Sequence, residues 1–387
     1  MSNSVTNRRT LLKTSGVALA VGLAGCSSGG SGGSGTATRK PADVTTYPPS
    51  EYESQLNIWN WYDGFATYAK EELPKTFENL DTVTTSSYSS PTEPYSQVQA
   101  GAHEIDNISS STPVAAQAMG NDHLEPLPVD SMPNYSNLTE SARQHAKDNF
   151  SDDQGNIYAI PETYGMWPSL GYSSNEFDSA PDSWDIMWDD EYEGQIALQD
   201  SAIYTGYVGA KYTGQDWRDP DDFEDIKEAL IQQKELNRTY WQGFQQGMQL
   251  FINESVVLGT HTMARLYYAH FEEDATHVEY TIPKEGSLTY HDFLAIPKGA
   301  PNPVMSTAFL NWALQNKHAK QHYKQEGYLA PVKNIFSTLK GDGTLSDEGE
   351  EFLTWSDEER ERLEFQTPLD SEVRQKYTDM WTEVKAA

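Results

Sequence analysis

Residues 56–64 read LNIWNWYDG, a run in which apolar and polar residues alternate before the chain reaches Asp and Gly. Alternation with a period of two is typical of a half-buried β-strand, and the Asp-Gly pair is a turn signal. The stretch 67–80 is helix-like, and 82–88 is rich in β-branched residues, which favours a second strand. This order of elements predicts an α/β fold with largely parallel sheets.

The same alternation continues along the chain. Residues 105–109 and 194–198 are strand-like, and the first of them is followed by a helical pattern at 113–119. Three later segments carry apolar stripes at helical spacing, which predict core-facing helices: 221–236, 306–327 and 371–384. The roughly 335 residues after residue 50 exceed what one hydrophobic core usually serves, so two lobes are expected.

The N-terminus has the pattern of an export signal. Arg8 and Arg9 precede a short, mildly apolar stretch, which is typical of a twin-arginine signal over residues 1–25. Cys26, the only cysteine, ends the sequence LAGC, which resembles the lipobox of secreted lipoproteins. Residues 26–50 begin as a Ser/Gly run and predict a flexible tether. We therefore expect a lipid-anchored protein on the extracellular face of the cell membrane.

The charge of the chain excludes one class of partner. Acidic residues number 58 and basic residues 27, for a formal net charge of −31. Three of the basic residues lie in the signal segment, so the chain from Cys26 onward carries −34. Nucleic-acid binding needs a basic surface and is not expected. The 45 aromatic residues can bury a core and predict a folded chain. The acidic excess resembles that of haloarchaeal proteins. Salt should stabilise the fold because it screens the repulsion between the acids.

Several local patterns occur in an order that is typical of one family. They are IWNWYD at 58–63, DNISSST at 106–112, AIP at 159–161, GY at 171–172, SW at 183–184, PKEG at 283–286, DFLAIP at 292–297 and GY at 327–328. In this order the chain resembles the extracellular solute-binding proteins of polyamine ABC importers, the spermidine/putrescine-binding family. The resemblance runs from about Leu56 to the C-terminus.

The resemblance implies a two-lobed, periplasmic-binding-protein-like α/β fold of type II, with the ligand cleft between the lobes. Lobe 1 is expected to comprise 51–162 plus 292–335, and lobe 2 to comprise 163–291 plus 336–387. The implied partners are a small amine-bearing ligand, an ABC permease and, through the lipid, the membrane. No enzymatic activity, cofactor or metal is expected.

A polyamine is a methylene chain that carries ammonium groups, so its site needs aromatic faces and carboxylates. The positions that the resemblance places in the cleft are Trp61, Tyr62, Asp63, Ser111, Thr112, Asp200, Tyr204, Tyr290 and Asp292. The chain also departs from the family. Ser201 and Tyr204 occupy two acidic positions, Asp200 lies one residue early, and Thr262 replaces an aromatic residue. We therefore expect a diamine or a singly charged amine rather than spermidine.

Two other kinds of function are weighed against this hypothesis. Adjacent tyrosines ligate iron in ferric-ion binders of the same broad fold, but we interpret Tyr267 and Tyr268 as aromatic packing in a helix. His318 and His322 are spaced for one helix face, and the neighbouring lysines favour a solvated surface over a metal site. A secreted glycoside hydrolase would use a carboxylate pair. The Gly-x-Ser-x-Gly pattern at 29–33 is part of the Ser/Gly run rather than a nucleophile elbow, and the sequence has no His-Glu-x-x-His or Walker motif to support an enzyme.

Overall fold

The computed structural model describes residues 39–88, 92–101 and 104–387. Arg8, Arg9 and Cys26, on which the export and anchoring predictions depend, lie outside the described residues. Residues 39–50, the end of the predicted tether, lie against the body of the protein. Val44 is buried, and its carbonyl oxygen accepts a hydrogen bond from Ser131 Oγ at 2.7 Å. A flexible tether, which stays a prediction, would therefore stop short of Arg39.

The strands form two sheets. They are β1 (Gln55–Trp59), β2 (Thr82–Ser86), β3 (Asn107–Ser111), β4 (Ala159–Met166), β5 (Ser169–Ser173), β6 (Ile196–Gln199), β7 (Asn237–Trp241), β8 (Leu258–His261), β9 (Val278–Thr281), β10 (Ser287–Ala295) and β11 (Leu363–Phe365). The first sheet has the order β11-β10-β3-β1-β2, and β4 also pairs with β10. The second has the order β7-β6-β8-β5-β9.

Helices cover both sheets. They are α1 (Asp63–Thr76), α2 (Thr92–Gln99), α3 (Thr112–Gly120), α4 (Glu140–Phe150), α5 (Ala202–Tyr212), α6 (Phe223–Leu236), α7 (Phe244–Ile252), α8 (Met263–Phe271), α9 (Pro303–Ala313), α10 (Asn316–Glu326), α11 (Ile335–Gly341), α12 (Asp347–Leu353), α13 (Asp357–Glu361) and α14 (Ser371–Ala386). None of the helices in the described part of the chain is both long enough and apolar enough to cross a membrane.

Each sheet mixes parallel and antiparallel pairs. In the first, β1 is parallel to β2 and β3, whereas β10 is antiparallel to β3 and β4. In the second, β6 is parallel to β7 and β8, whereas β5 is antiparallel to β8 and β9. One core surrounds Ile58 and Phe309 beside the first sheet, and another surrounds Leu198 and Tyr377 beside the second. The chain crosses between the sheets from β4 to β5 and returns from β9 to β10.

Strand pairing bears on the lobe boundaries, which stay a prediction. Ser287 to Ala295 pair along their whole length with strands of the first sheet, and residues 163–166 belong to β4 of that sheet. Leu363–Phe365 also pairs with β10. The predicted boundaries place 163–166, 287–291 and 363–365 in lobe 2, and the pairing favours moving these residues to lobe 1.

Most predicted elements are present with shifted ends, and one is divided. The helix expected over 306–327 is two helices, α9 and α10, which meet at Leu314 and Gln315. The apolar stripe runs through the break because every residue of α9 is buried, whereas α10 buries one side. The predictions at 221–236 and 371–384 correspond to α6 and α14, which pack on each other beside the second sheet.

Candidate functional site

The site begins with Asp292 on β10 and Tyr62 in the turn after β1. The Asn60 side chain accepts a hydrogen bond from the Tyr62 backbone N–H at 2.7 Å and so fixes this turn. The hydroxyl of buried Tyr62 donates to Asp292 Oδ2 and lies 2.8 Å from Thr163 Oγ1. Burial raises the pKa of Asp292 to about 6, although the hydrogen bonds from Tyr62 and Thr163 oppose this. Asp292 is therefore mostly ionised at pH 7.

A second carboxyl group, Glu162, is buried beside this cluster. Asn60 Nδ2 donates to Glu162 Oε1 at 2.7 Å, Ser109 Oγ donates to Oε2, and His322 Nε2 lies 3.5 Å from Oε1. Burial raises the pKa of Glu162 to about 8 and lowers that of His322 to about 3. Both groups are therefore predominantly neutral at pH 7, and Asp292 carries the negative charge of the cluster.

A β-bulge explains why Glu162 and Thr163 both contact the turn at Asn60–Tyr62. On β10, Asp292 pairs with Thr163 and the next residue, Phe293, pairs with Pro161. Glu162 is thus an extra residue in β4, and such a residue redirects side chains locally. Sequence reasoning stopped at Pro161 and missed Glu162. A proline followed by two polar residues in an apolar strand was the available signal, because proline in a strand often marks a bulge.

Aromatic rings surround the Asp292 carboxylate. Tyr328, at the last crossing motif, packs on Tyr62 with ring centroids 5.0 Å apart. Trp167, in the link between β4 and β5, stacks on Tyr204 at 3.7 Å and meets Tyr290 edge-on at 6.5 Å. Tyr204 comes from α5, beside the second sheet, so both sheets contribute to this wall.

The structure brings most of the predicted site residues together. Trp61 packs edge-on against Tyr88 at 5.5 Å, and the charge of Asp292 contributes to the raised pKa of Tyr88, after burial and Glu162. Ser111 is the antiparallel partner of Asp292 and is half-buried. Thr112 lies beside them in a structural role, because its hydroxyl donates to the His291 carbonyl oxygen at 2.9 Å.

Two predicted acids are not in this cluster. Asp63 is exposed at the start of α1. Asp200 accepts hydrogen bonds from Lys385 Nζ, Trp381 Nε1 and Gln242 Nε2, each at 2.9 Å, and these side chains belong to the second-sheet side. Neither acid contacts the Asp292 cluster within the described residues, so we leave both out of the proposed site.

The structure favours packing over metal binding at the tyrosine pair and the histidine pair. Tyr267 is buried in α8 and accepts a hydrogen bond from Tyr323. The expectation that His318 and His322 lie on a solvated surface is wrong. Both are buried, His318 stacked on Trp312 at 3.6 Å and His322 on Phe65 at 3.7 Å. The described residues include no group of three or more His, Cys, Asp or Glu that could hold a metal ion.

A cavity of about 640 Å³ is lined by three successive residues of β10, Thr289, Tyr290 and His291, and does not include Asp292. Tyr164, Trp355 and Phe365 line it as well. The charged side chains among the described lining residues are the basic Lys333 and Arg360, and no Asp or Glu is among them. The cavity therefore offers no counter-charge to an ammonium group, unlike the Asp292 cluster.

The sequence and the fold of the chain match those of known proteins. A family model described as bacterial extracellular solute-binding protein matches residues 82–342. The chain belongs to this family. Solute-binding proteins of this kind are the substrate-binding components of transporters and not enzymes, so the glycoside hydrolase alternative is set aside.

Individual relatives of this solute-binding protein are similar over most of their length. A putrescine/agmatine-binding protein of Pseudomonas aeruginosa is 24% identical over 71% of this chain and 78% of its own. The spermidine/putrescine-binding periplasmic protein of Escherichia coli is 25% identical over 76% of this chain and 84% of its own.

Solved structures share the fold of this solute-binding protein. PotD, the spermidine/putrescine ABC transporter substrate-binding protein of Streptococcus pneumoniae, superposes with a TM-score of 0.73 at 22% identity, covering 86% of this chain and 99% of that one. The TpPotD lipoprotein of Treponema pallidum gives 0.69 at 18% identity, covering 85% and 99%. The predicted two-lobed α/β fold is confirmed.

Proposed function

We propose that the chain is the extracellular substrate-binding component of an ABC importer and captures a small cationic solute that bears an amine, the class to which putrescine and spermidine belong. The observation that carries this proposal is the Asp292 carboxylate, which no Lys, Arg or His of the described residues pairs with at 4.0 Å or less. A part-buried, ionised carboxylate without a cationic partner is costly unless a ligand supplies the charge. The relatives' names, which include putrescine, agmatine and spermidine, agree.

The rings around Asp292 suit the rest of such a solute. An ammonium group donates up to three hydrogen bonds, and the adjacent methylene groups pack on aromatic faces. Tyr62, Tyr290 and Tyr328 provide such faces next to the carboxylate. Amine binding between residues of the two sheets would favour the closed arrangement of the lobes, which a membrane permease could distinguish from the open one.

The number of acids limits the number of ammonium groups that the site can hold. Asp292 is ionised, Glu162 is predominantly neutral at pH 7, and Asp63 and Asp200 lie elsewhere. Each further ammonium would enter the cleft without a carboxylate partner. A site with a single anion therefore suits a singly charged amine best, a diamine less well and spermidine least.

The test is isothermal titration calorimetry of residues 39–387 with putrescine, cadaverine, agmatine, spermidine, a neutral diol of matched length and ferric citrate. We expect heat from the amines and none from the diol or ferric citrate. Tight binding of an uncharged or purely anionic solute, with no response to Asp292→Asn, would overturn the proposal. Tight ferric-ion binding would favour the iron-binding alternative instead.

We also propose that the protein is exported through the twin-arginine signal at Arg8 and Arg9, and that lipid on Cys26 holds it at the extracellular face of the membrane. The supporting patterns are those of residues 1–26. The acidic composition supports a further proposal, that the protein works in a salt-rich medium such as that of a haloarchaeon.

A further inference from the structure

Two hydrogen-bond donors near Tyr290 and Tyr328 have no acceptor. Arg265 Nε and Trp167 Nε1 are buried, and neither has a hydrogen-bond partner among the described residues. A buried donor without an acceptor loses its hydration and gains nothing in return, which makes such groups rare in folded proteins. Other buried donors of the described residues also lack a partner, Trp312 Nε1 and Arg362 Nε among them, so these two matter because of their place beside Tyr290 and Tyr328.

Arg265 lies at the far end of a row of side chains that begins at Asp292. Its guanidinium carbon is 5.9 Å from the ring centroid of Tyr328, and that ring is 5.0 Å from Tyr62, which donates to Asp292. Trp167 adjoins the same region through Tyr290, at 6.5 Å. An anion and an unpaired cation thus stand at opposite ends of one aromatic row.

Among the described residues, none forms an ion pair with Arg265 at 4.0 Å or less. Glu326 interacts electrostatically with Arg265: burial raises the pKa of Glu326, and the Gly64 hydrogen bond and the charge of Arg265 oppose that rise. Glu326 Oε1 accepts the Gly64 backbone N–H at 2.8 Å, and no ion pair of 4.0 Å or less joins it to Arg265. Within the described residues, the guanidinium group therefore has a ring beneath it and no hydrogen-bonded anion.

We infer that the preferred solute is an ω-amino carboxylate, with its ammonium on Asp292 and its carboxylate toward Arg265 and Trp167, rather than a diamine. The inference rests on the proposed function, since it keeps the ammonium on Asp292, and it replaces the net cationic solute by a zwitterion. A second ammonium has no acceptor to offer either donor and would meet the like charge of Arg265. A carboxylate accepts two parallel hydrogen bonds from a guanidinium group and a third from an indole N–H.

The experiment compares ligands of equal length that differ at one end. The pairs are 4-aminobutanoate and 1,4-diaminobutane, 5-aminopentanoate and 1,5-diaminopentane, and 6-aminohexanoate and 1,6-diaminohexane, titrated by calorimetry at one salt concentration. The proteins are the wild type, Arg265→Gln, Arg265→Lys and Asp292→Asn. Arg238→Gln, at an exposed position of β7, is the matched control. Thermal melts establish that each variant is folded.

We expect at least one amino carboxylate to bind the wild type about tenfold or more tightly than the diamine of the same length. Arg265→Gln should remove that preference, Arg265→Lys should retain part of it, and Arg238→Gln should not change it. Asp292→Asn should weaken both ligand classes.

A wild type that prefers diamines, with Arg265→Gln neutral toward both classes, would overturn the inference and leave the proposed function standing. If no amine of either class binds the folded wild type, the proposed function fails and the inference fails with it.

Discussion

Tyr62 and Asp292 lie 230 positions apart in the sequence, and the phenol of the first donates a hydrogen bond to the carboxylate of the second. Burial raises the pKa of both groups, that of Asp292 to about 6 and that of Tyr62 well above its usual value. The proton therefore stays on Tyr62, and Asp292 is the group of the pair that titrates near neutral pH. The hydrogen bond holds the acid in place while leaving it negatively charged.

Replacing Asp292 by Asn should weaken amine binding, because the shape is preserved while the negative charge is lost. We expect a loss of roughly 1.5–3 kcal/mol in binding free energy, the usual value of a hydrogen bond to a charged group. Calorimetric titration measures the difference. Asp63→Asn is the matched control, since Asp63 is exposed and lies outside the cluster. Equal losses in the two variants would contradict the assignment of Asp292.

Amine affinity should depend on pH through Asp292. The ammonium binds the ionised carboxylate, so affinity should be about tenfold weaker at pH 5 than at pH 7 for a pKa of about 6. A second, smaller rise is expected between pH 7 and 9, as Glu162 loses its proton near pH 8 and adds negative charge. Titrations from pH 5 to 9 test both steps. Asp292→Asn should abolish the first and Glu162→Gln the second, and a flat wild-type profile would contradict both.

Glu162→Gln should stabilise the protein at alkaline pH. The folded-state pKa of Glu162 is about 8, above an unfolded value of about 4.3, so the folded protein binds this proton more tightly. The wild type therefore loses stability as pH rises from about 4.3 to 8, by on the order of a few kcal/mol, and Gln avoids the loss. Thermal unfolding at pH 5, 7 and 9 should show an advantage of the variant that grows with pH. The exposed Glu193→Gln is the control; if its curves match those of Glu162→Gln, the buried acid has no such role.

The unfolding temperature should rise with salt concentration. A formal charge of −31 on one chain is repulsive in dilute buffer, and molar KCl screens that repulsion to within about 3 Å. Differential scanning calorimetry from 10 mM to 2 M KCl measures the response. An unchanged midpoint over this range would mean that local ion pairs already compensate the acids.

Cys26→Ala should release the protein from the membrane or leave its precursor uncleaved, because the cysteine is the proposed attachment point. Fractionation of cells expressing wild type and variant, with immunodetection, separates these outcomes from retention. Ser27→Ala, the adjacent residue, is the control and should stay membrane-bound. A Cys26→Ala protein that is still processed and held at the membrane would reject the lipid anchor.

Local patterns predicted the fold well because it is built from regular elements. Alternation at 56–61 corresponds to β1, and the stripes at 221–236 and 371–384 correspond to α6 and α14. The division of 306–327 could not be predicted, since α9 is buried on all sides and shows no polar face at which a break would appear. His318 and His322 were misjudged for a related reason. Their lysine neighbours are exposed or half-buried, but His322 stacks on Phe65, which is distant in the sequence, and His318 stacks on Trp312 of the preceding helix α9.

Of the candidate site, the sequence identified residues in or beside the strand motifs and missed Glu162, Trp167 and Arg265. Trp61, Tyr290 and Asp292 lie in motifs with a recognisable order. Arg265 carries no such signal, because a lone arginine in a helix is usually a surface residue. Its position against Tyr328 depends on how α8 meets the last crossing segment, which is a tertiary contact.

The bulge at Glu162 has a consequence for how relatives of this protein could differ. Pro161 pairs with Phe293 of β10, and Thr163 pairs with Asp292. Glu162 lies between them and has no strand partner on β10. Removing that one residue would leave both flanks in register and would take away the buried carboxyl group. Insertion or deletion of a single codon can therefore add or remove a titratable carboxyl group in the pocket. The neighbouring residues of β4 keep their pairing with β10.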